Sequence, residues 1–248
     1  MQCFRGIITF QPKLASCWLL VVFLFLAFHI QAQDKAVVVE MNIPDSLDGL
    51  YGADPTVFNG QVYVNPNPGA RGTPFLFDET FQSGSVTIRG KEYTPLLLRF
   101  DTFGQWIVVR YENRFGGMRE LKMSDAWIEH FTLGDRFFTR YSMPDGKRIY
   151  LQLLGTGNRK IGIYWSKELL FNATNINPGY YFSPDKKAVY LVWENELRKF
   201  KNNKSFLKLF PKEEQEKLAT YLSKNSIDIR KASEKTLLQL INYCNTLK

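Results

Sequence analysis

The sequence predicts an α+β protein whose body is a mainly antiparallel β-sheet, with a small helical appendage at the C-terminal end. Three observations predict it: strand-like alternation through residues 85–141, turn signals every roughly 8 to 12 residues, and helical spacing after residue 200. Such short turn spacing leaves no room for crossover helices. Neighbouring strands should therefore run antiparallel, as a meander, a sandwich or a barrel-like sheet.

Each strand-like run ends at residues that favour a turn. β-branched and aromatic residues fill the runs, and Gly90, Gly117 and Gly146 mark reversals of the chain. Pro95 lies inside one run and has no N–H group, which predicts a strand start, an edge or a bulge there. Residues 148–154, 160–170, 180–182 and 188–193 continue the sheet, and residues 194–195 are expected to turn a final hairpin into 197–200.

After residue 200 the apolar residues recur at helical spacing. Residues 203–210 predict a short amphipathic helix with Asn203 as its N-cap. Pro211 suits the first position of the next helix, and Ser233 is expected to cap the last one. The apolar stripe of that last helix includes Cys244, which should face the core.

The first 32 residues match a secretory signal peptide. Arg5 and Lys13 precede an apolar run at residues 18–30, and Ala32 stands before a polar segment. Because a membrane span needs about 20 apolar residues, cleavage after Ala32 is favoured over retention as an anchor. The protein is thus expected to be exported, to be periplasmic, outer-membrane-associated or extracellular, and to keep no transmembrane segment after cleavage.

The remaining chain divides into two predicted parts. Residues 34–200 form the β-rich body, which opens with a loop-rich leading segment at 44–80, and residues 201–248 form the basic helical appendage packed on it. Within the leading segment, Phe75, Leu76 and Phe77 are expected to lie against the sheet.

Cysteine usage fits export. Cys3 and Cys17 belong to the leader, which leaves Cys244 alone and excludes an internal disulfide in the mature chain. Residues 14–17 resemble a bacterial lipoprotein box, but they precede the apolar run instead of following it. This order argues against lipidation at Cys17.

Several segments resemble a family of secreted, β-rich proteins of Bacteroidota. The similarity rests on GSVTIRGKEYTPLLLRFD at 84–101, on WIEHFTLGDRFF at 127–138, and on the Lys-rich KSFLKLFP turn at 204–211 that leads into two helices. The family has the same order of leader, β body and basic C-terminal helices. No catalytic motif is assigned to it, so the resemblance implies compartment and architecture and brings no site residue.

Positive charge is concentrated at the helical end. The net charge of the chain is +8, and residues 198–248 carry twelve Lys and Arg against five Asp and Glu. Lys201, Lys204 and Lys208 share one side of the short helix and are the candidate binding residues. They would suit an anionic envelope surface or an acidic envelope protein, although a merely solvated helix face is the alternative. The export leader argues against nucleic acid as a partner.

The sequence lacks the residue patterns that most kinds of catalytic site require. His130 is the single histidine after the leader, which excludes zinc sites built from His and Cys, and no cofactor or metal is predicted. A Ser-His-Asp triad could use only His130 as its base, and no nucleophile-elbow motif is present.

Carboxylates are the exception, because a glycosidase needs only two of them across a cleft. The acids near predicted strand ends are Asp101, Glu112, Glu120, Asp125 and Glu129. The sequence reveals no specific activity and predicts an exported, non-enzymatic binding or envelope-associated structural protein. A carbohydrate-active hydrolase with paired carboxylates and a peripheral envelope-membrane binder are the alternatives.

Overall fold

In the computed structural model, the structure describes residues 57, 60–113, 115–143, 145–174, 176, 178–194 and 196–247. The predicted leader and its cleavage site lie outside these residues, as does most of the leading segment before residue 60. No helix among the described residues is long and apolar enough to cross a membrane.

Thirteen strands and three helices are present in this part of the chain. The strands are β1 (Gly60–Val62), β2 (Gln82–Ile88), β3 (Lys91–Asp101), β4 (Trp106–Glu112), β5 (Met118–Met123), β6 (Ile128–Leu133), β7 (Arg136–Ser142), β8 (Arg148–Leu154), β9 (Arg159–Ser166), β10 (Leu169–Asn172), β11 (Gly179–Phe182), β12 (Lys186–Trp193) and β13 (Glu196–Phe200). The helices are α1 (Asn203–Leu207), α2 (Lys212–Lys224) and α3 (Glu234–Thr246).

Eleven strands form one antiparallel sheet in the order β1-β5-β4-β3-β2-β6-β7-β8-β9-β12-β13. Two meanders meet where β2 pairs with β6. The sheet is strongly curved: Phe100 on β3 and Tyr150 on β8 are four strand positions apart, about 19 Å in a flat sheet. Their ring centroids nevertheless lie 6.0 Å apart. Within the described chain the edge strands β1 and β13 do not pair, so the sheet is open and not a closed barrel.

The helices and the concave face of the sheet share one core. Rings of Phe131 and Phe138 stack at 4.6 Å within the curve of the sheet. Towards β9 and β12 the inner-facing residues, among them Ile161 and Leu191, belong to the same apolar cluster as the buried side of all three helices. The predicted α+β class is therefore confirmed, with the helices at the C-terminal end.

The described part of the leading segment and the adjoining Phe81 pack on the convex face of β3 and β4. The guanidinium of Arg99 lies 3.8 Å from the ring centroid of Phe75 and 4.0 Å from that of Phe81. Arg110 lies 3.9 Å from the same Phe81 centroid. Both arginines bind Glu120, at 2.6 and 2.8 Å. Stacked guanidinium groups and rings thus fasten this segment to the sheet.

Two of the three apolar residues expected against the sheet are buried. Phe75 and Leu76 are enclosed, and the backbone N–H of Leu76 donates to the carbonyl of Phe100 at 2.8 Å. Phe77 stays exposed and presents its ring to the edge of Trp165, with centroids 5.5 Å apart.

The predicted strands are interrupted at Pro95 and within residues 160–170. The register between β2 and β3 shifts opposite Pro95, so of the three predicted possibilities (a strand start, an edge or a bulge) the structure has a bulge. The single run predicted at 160–170 is instead two strands, β9 and β10, because Lys167 turns into the protein to donate to backbone carbonyls. The predicted final hairpin is present as β12 and β13.

Candidate anion-binding cleft

The first helix begins with a side-chain cap. Oδ1 of Asn202 accepts the backbone N–H of Ser205 at 2.9 Å, and Oγ of Ser205 accepts the N–H of Asn202 at 3.0 Å. This reciprocal pair is a capping box. The prediction that Asn203 is the N-cap is wrong, because the Asn203 side chain is engaged in a tertiary contact.

Asn203 fastens the connection between α2 and α3 to the start of α1. Its Nδ2 donates to the carbonyl of Ile227 at 2.6 Å, and its Oδ1 accepts the N–H of Ile229 at 3.0 Å. The side chains of Ile227 and Ile229 are buried beneath it. Arg230, the next residue, is therefore held beside Lys201, which directly precedes the cap of α1.

A cleft of about 330 Å³ lies between β12, the end of β13 and this connection. It is lined by Lys187, Ala188, Val189, Lys199, Phe200, Lys201, Ile229 and Arg230. Four of these side chains are cationic and none is a carboxylate. We name this feature the cationic cleft.

Lys187 forms the β12 side of the cationic cleft. Its Nζ donates to the carbonyl of Ala232 at 2.5 Å, so the ammonium is already oriented towards the α2–α3 connection. Burial lowers the pKa of the Lys187 ammonium, and the nearby carboxylate of Glu234 opposes that shift. An anion in the cleft would supply further negative charge to this partly desolvated group.

The other cations of the cleft are only partly compensated. Arg230 donates to both carboxylate oxygens of Asp228, at 3.0 and 2.8 Å, in an exposed pair. Nζ of Lys199 lies 5.9 Å from the ring centroid of Tyr190, on the face of the sheet opposite to Lys187. Asp228 and Glu234 are the two acids beside the other cations, so the cleft keeps a smaller positive charge.

The predicted binding lysines lie in and beside this cleft. Lys201 lines it, Lys204 is within α1, and Lys208 is the C-cap of α1. All three side chains are exposed, while Phe206 of the same helix is buried. Among the described residues none of the three has an ion-pair partner. Their role in binding stays a prediction.

The arrangement suits a compact oxyanion. Ammonium groups act as point charges toward phosphate, sulfate or carboxylate oxygens, and a guanidinium offers paired N–H donors. β13 pairs with β12 only as far as the Val189–Phe200 pair, so residues 186–188 extend past it along the wall of the cleft. The cleft can therefore bind a negatively charged group but contains no evident general acid, base or nucleophile.

A larger cavity of about 660 Å³ lies at the other end of β9 and β12. Thr156, Asn158, Lys160, Trp193 and Glu194 are among its lining residues. Its one lysine and one glutamate balance each other. It is thus a polar surface depression without the charge excess of the cationic cleft.

The five predicted acids have different surroundings. Asp101 is fully buried, and its carboxylate accepts the hydroxyl of Tyr63 at 3.1 Å and the N–H of Gly104 at 2.7 Å. Burial raises the pKa of Asp101. Glu120 lies in the same region but is bound by two arginines. Glu112, Asp125 and Glu129 are exposed at separate places. The hydrolase alternative therefore gains no supporting geometry and stays a prediction.

His130 and Cys244 occupy unrelated positions. The His130 ring packs 5.2 Å from that of Phe137 on β7, and Cys244 is buried in α3. In the part of the chain that the structure describes, no group of three or more His, Cys, Asp or Glu side chains could hold a metal ion.

Three residues of the cationic cleft were not foreseen from the sequence: Lys187, Lys199 and Arg230. They come from two strands and a loop, and only the fold brings them to Lys201. The net charge of the last 51 residues was the signal that pointed to this end of the molecule. It could not show which cations converge.

No family model, curated protein or solved structure matches the chain. The resemblance to secreted Bacteroidota proteins stays a prediction, and the site must be interpreted from its own geometry.

Proposed function

We propose that the protein is an exported, non-enzymatic binding protein that holds an anionic group of an envelope component in the cationic cleft. The observation that carries the proposal is one concave volume lined by Lys187, Lys199, Lys201 and Arg230 without a lining carboxylate, with the ammonium of Lys199 on the Tyr190 face of the sheet. Like charges repel, so a fold that holds several of them around one cleft gains when a counter-ion enters.

The charge distribution supports this function. The helical end is strongly positive, whereas the body from residue 34 to 197 is nearly neutral. Lys204 and Lys208 add two exposed cations in α1 and at its C-cap. A large anionic partner would thus approach this end of the molecule first.

Export is the second half of the proposal. It is supported by the basic start, the apolar run at 18–30 and the small residue Ala32 before a polar segment. The partner would then be a component of the envelope or its surroundings, and the mature protein would meet it outside the cytoplasm.

Binding of inorganic tripolyphosphate tests the cleft. We expect calorimetry to detect binding that weakens as salt concentration rises, because salt screens charge interactions. The double variant Lys201→Gln/Arg230→Gln should bind about tenfold more weakly, since two charge-assisted contacts are removed.

A matched control removes the same charge elsewhere. Lys217 and Lys224 are exposed on α2, so Lys217→Gln/Lys224→Gln changes the net charge equally without touching the cleft. Equal weakening by both double variants would show a diffuse charge effect and contradict the assignment of the cleft. Absence of any salt-sensitive binding would refute the proposed function.

A further inference from the structure

β10 and β11 form a two-stranded ribbon that continues the β9–β12 pair beyond the large sheet. The ribbon pairs Leu169 with Phe182 through to Asn172 with Gly179. Between the ribbon and the sheet, both strands are interrupted, at residues 167–168 and at residues 183–185. Hydrogen bonds persist across the bend, where the N–H of Ser183 donates to the carbonyl of Glu168 at 2.8 Å.

The base of the ribbon is firmly anchored. Nζ of Lys167 donates to the carbonyls of Thr73 and Phe75 at 3.0 and 2.5 Å, and it lies 3.5 Å from the carboxylate of Asp185. The backbone of Arg71 adds a short bridge to the ribbon, accepting the N–H of Phe182 at 2.9 Å. The base of the ribbon is thus bonded to residues 71–75 of the leading segment.

Three large apolar side chains are exposed on the outer half of the ribbon. Phe171 and Tyr180 face each other across the two strands, with ring centroids 5.0 Å apart in an edge-to-face arrangement. Their exposed fractions are 59% and 55%, and Ile176 in the turn between the strands is 82% exposed. An anchored projection that presents large apolar side chains to solvent marks an interaction surface.

The ribbon and the cationic cleft lie at the same end of β12. β11 ends at Phe182, β12 begins at Lys186, and the next residue, Lys187, lines the cleft. The ring of Phe103 packs edge-on against Phe182 at 5.4 Å and adds another exposed ring at the ribbon base. The exposed rings of the ribbon and the cleft cation Lys187 therefore lie on the two sides of the short segment that joins β11 to β12.

We propose that the ribbon inserts Phe171, Tyr180 and Ile176 into the interface of an anionic lipid bilayer while the cationic cleft and its lysines contact the headgroups. This rests on the proposed function and names its partner as a phospholipid surface. Aromatic side chains favour the headgroup level of a membrane, and lysines favour the negative surface potential of anionic lipids. Stable peripheral attachment needs two such contributions together.

The shape of the surface favours lipid over a folded protein. The ribbon is only two strands wide and lies outside the large sheet, and a bilayer interface can accommodate its exposed rings without a preformed pocket. A protein partner would need a groove complementary to both rings and to the offset lysines. The charge next to the rings is the complement of an anionic headgroup layer.

Vesicle binding tests the inference. We compare vesicles of phosphatidylcholine with vesicles that also contain phosphatidylglycerol. The measurement is co-sedimentation of the protein, purified in the form that is recovered after export. Binding should require phosphatidylglycerol and fall with salt. The variant Phe171→Ser/Tyr180→Ser should bind about tenfold more weakly, because two rings no longer leave water.

The control removes exposed apolar groups from another hairpin. Phe115 and Met118 lie at the β4–β5 turn, 80% and 55% exposed, and Phe115→Ser/Met118→Ser should leave vesicle binding unchanged within about twofold. A second measurement does not depend on deleting the rings. An environment-sensitive dye on Ile176→Cys should shift to shorter wavelength with phosphatidylglycerol vesicles, whereas the same dye on Phe115→Cys should not.

The outcomes separate this inference from the proposed function. If the ribbon variant loses vesicle binding but keeps tripolyphosphate binding, both are supported. If the ribbon variant binds vesicles normally and the dye at position 176 does not respond, the bilayer inference is overturned while the cleft function stands. Binding only to vesicles that carry envelope proteins would also overturn it, in favour of a protein partner. If the parent protein does not bind tripolyphosphate, the proposed function of the cleft is refuted.

Discussion

Asp101 shows at the residue scale how a carboxylate can be structural in this protein. Its side chain closes the β3–β4 turn by accepting the N–H of Gly104, and it accepts the hydroxyl of Tyr63 from the leading segment. Burial raises the pKa of Asp101, although these two hydrogen bonds and the charge of Lys122 oppose the shift. Ionised Asp101 is therefore a cost to the fold that its partners only partly offset.

This cost predicts a pH dependence of stability. Because the pKa of Asp101 is higher in the folded than in the unfolded state, its contribution is fully present below about pH 4, the ordinary Asp value. That contribution is lost as pH rises through the folded pKa. Asp101→Asn cannot ionise, so it should gain stability relative to the parent between pH 4 and 7. Urea unfolding at both pH values measures the difference, and a constant difference would contradict the prediction.

At the scale of elements, one buried ion pair joins the helices to the sheet. Arg159 of β9 binds both carboxylate oxygens of Glu214 on α2, at 2.6 and 2.8 Å, and also donates to the carbonyl of Cys244 on α3 at 2.9 Å. Its guanidinium lies 4.4 Å from the ring centroid of Trp193. One side chain therefore fixes two helices against two strands.

Removing one partner of this pair should be costly. Glu214→Gln leaves the buried Arg159 charge without a counter-ion, and we expect a loss of about 3 kcal/mol in the free energy of unfolding. Arg159→Met/Glu214→Met removes both charges and should recover at least half of that loss. Urea denaturation of the single and double variants measures this, as in a double-mutant cycle.

The exposed pair of Arg198 and Glu196 on β13, 2.7 Å apart, provides the control. Glu196→Gln should change stability by less than about 0.5 kcal/mol, because exposed pairs contribute little. Equal effects of Glu214→Gln and Glu196→Gln would show that burial does not set the strength of the Arg159 pair.

Strand positions could be predicted because the signals for them are local. Alternation and Gly-containing turns placed β2 to β8 in the sequence, and Ser233 and Cys244 were correctly assigned to a cap and to the core. Two features were not predicted: the interruption between β9 and β10 at Lys167, and the tertiary contact of the Asn203 side chain. Each depends on backbone carbonyls far away in the chain. The same limit applies to the cationic cleft, whose charges meet only after folding.

At the scale of the whole molecule, the C-terminal helices form part of the hydrophobic core and do not only pack on its surface. Phe206, Leu218, Leu237, Leu240 and Ile241 are almost fully buried and belong to the same apolar cluster as the inner face of β9 and β12. At about 2 kcal/mol each, their burial is comparable with the net stability of a typical domain. The predicted division at residue 200 is therefore a boundary in sequence pattern and not in packing.

A chain that ends at residue 200 should not fold independently. Removal of the helices exposes Ile161, Ile163 and Leu191, so we expect aggregation, binding of hydrophobic dye and loss of cooperative unfolding. Circular dichroism and urea denaturation of the truncated protein measure this. A sharp unfolding transition without dye binding would show that the sheet is stable by itself.

The open sheet has a further consequence for proteins crowded in solution. An unpaired edge can recruit strands from other molecules and start fibril growth. β1 offers three residues of edge backbone, and the chain after it soon reaches Pro66 and Pro68, which have no N–H group to donate. At the opposite edge the chain leaves β13 directly for α1. Among the described residues, this large β-sheet is therefore not closed into a barrel, and the short β1 edge still offers incoming strands little backbone to pair with.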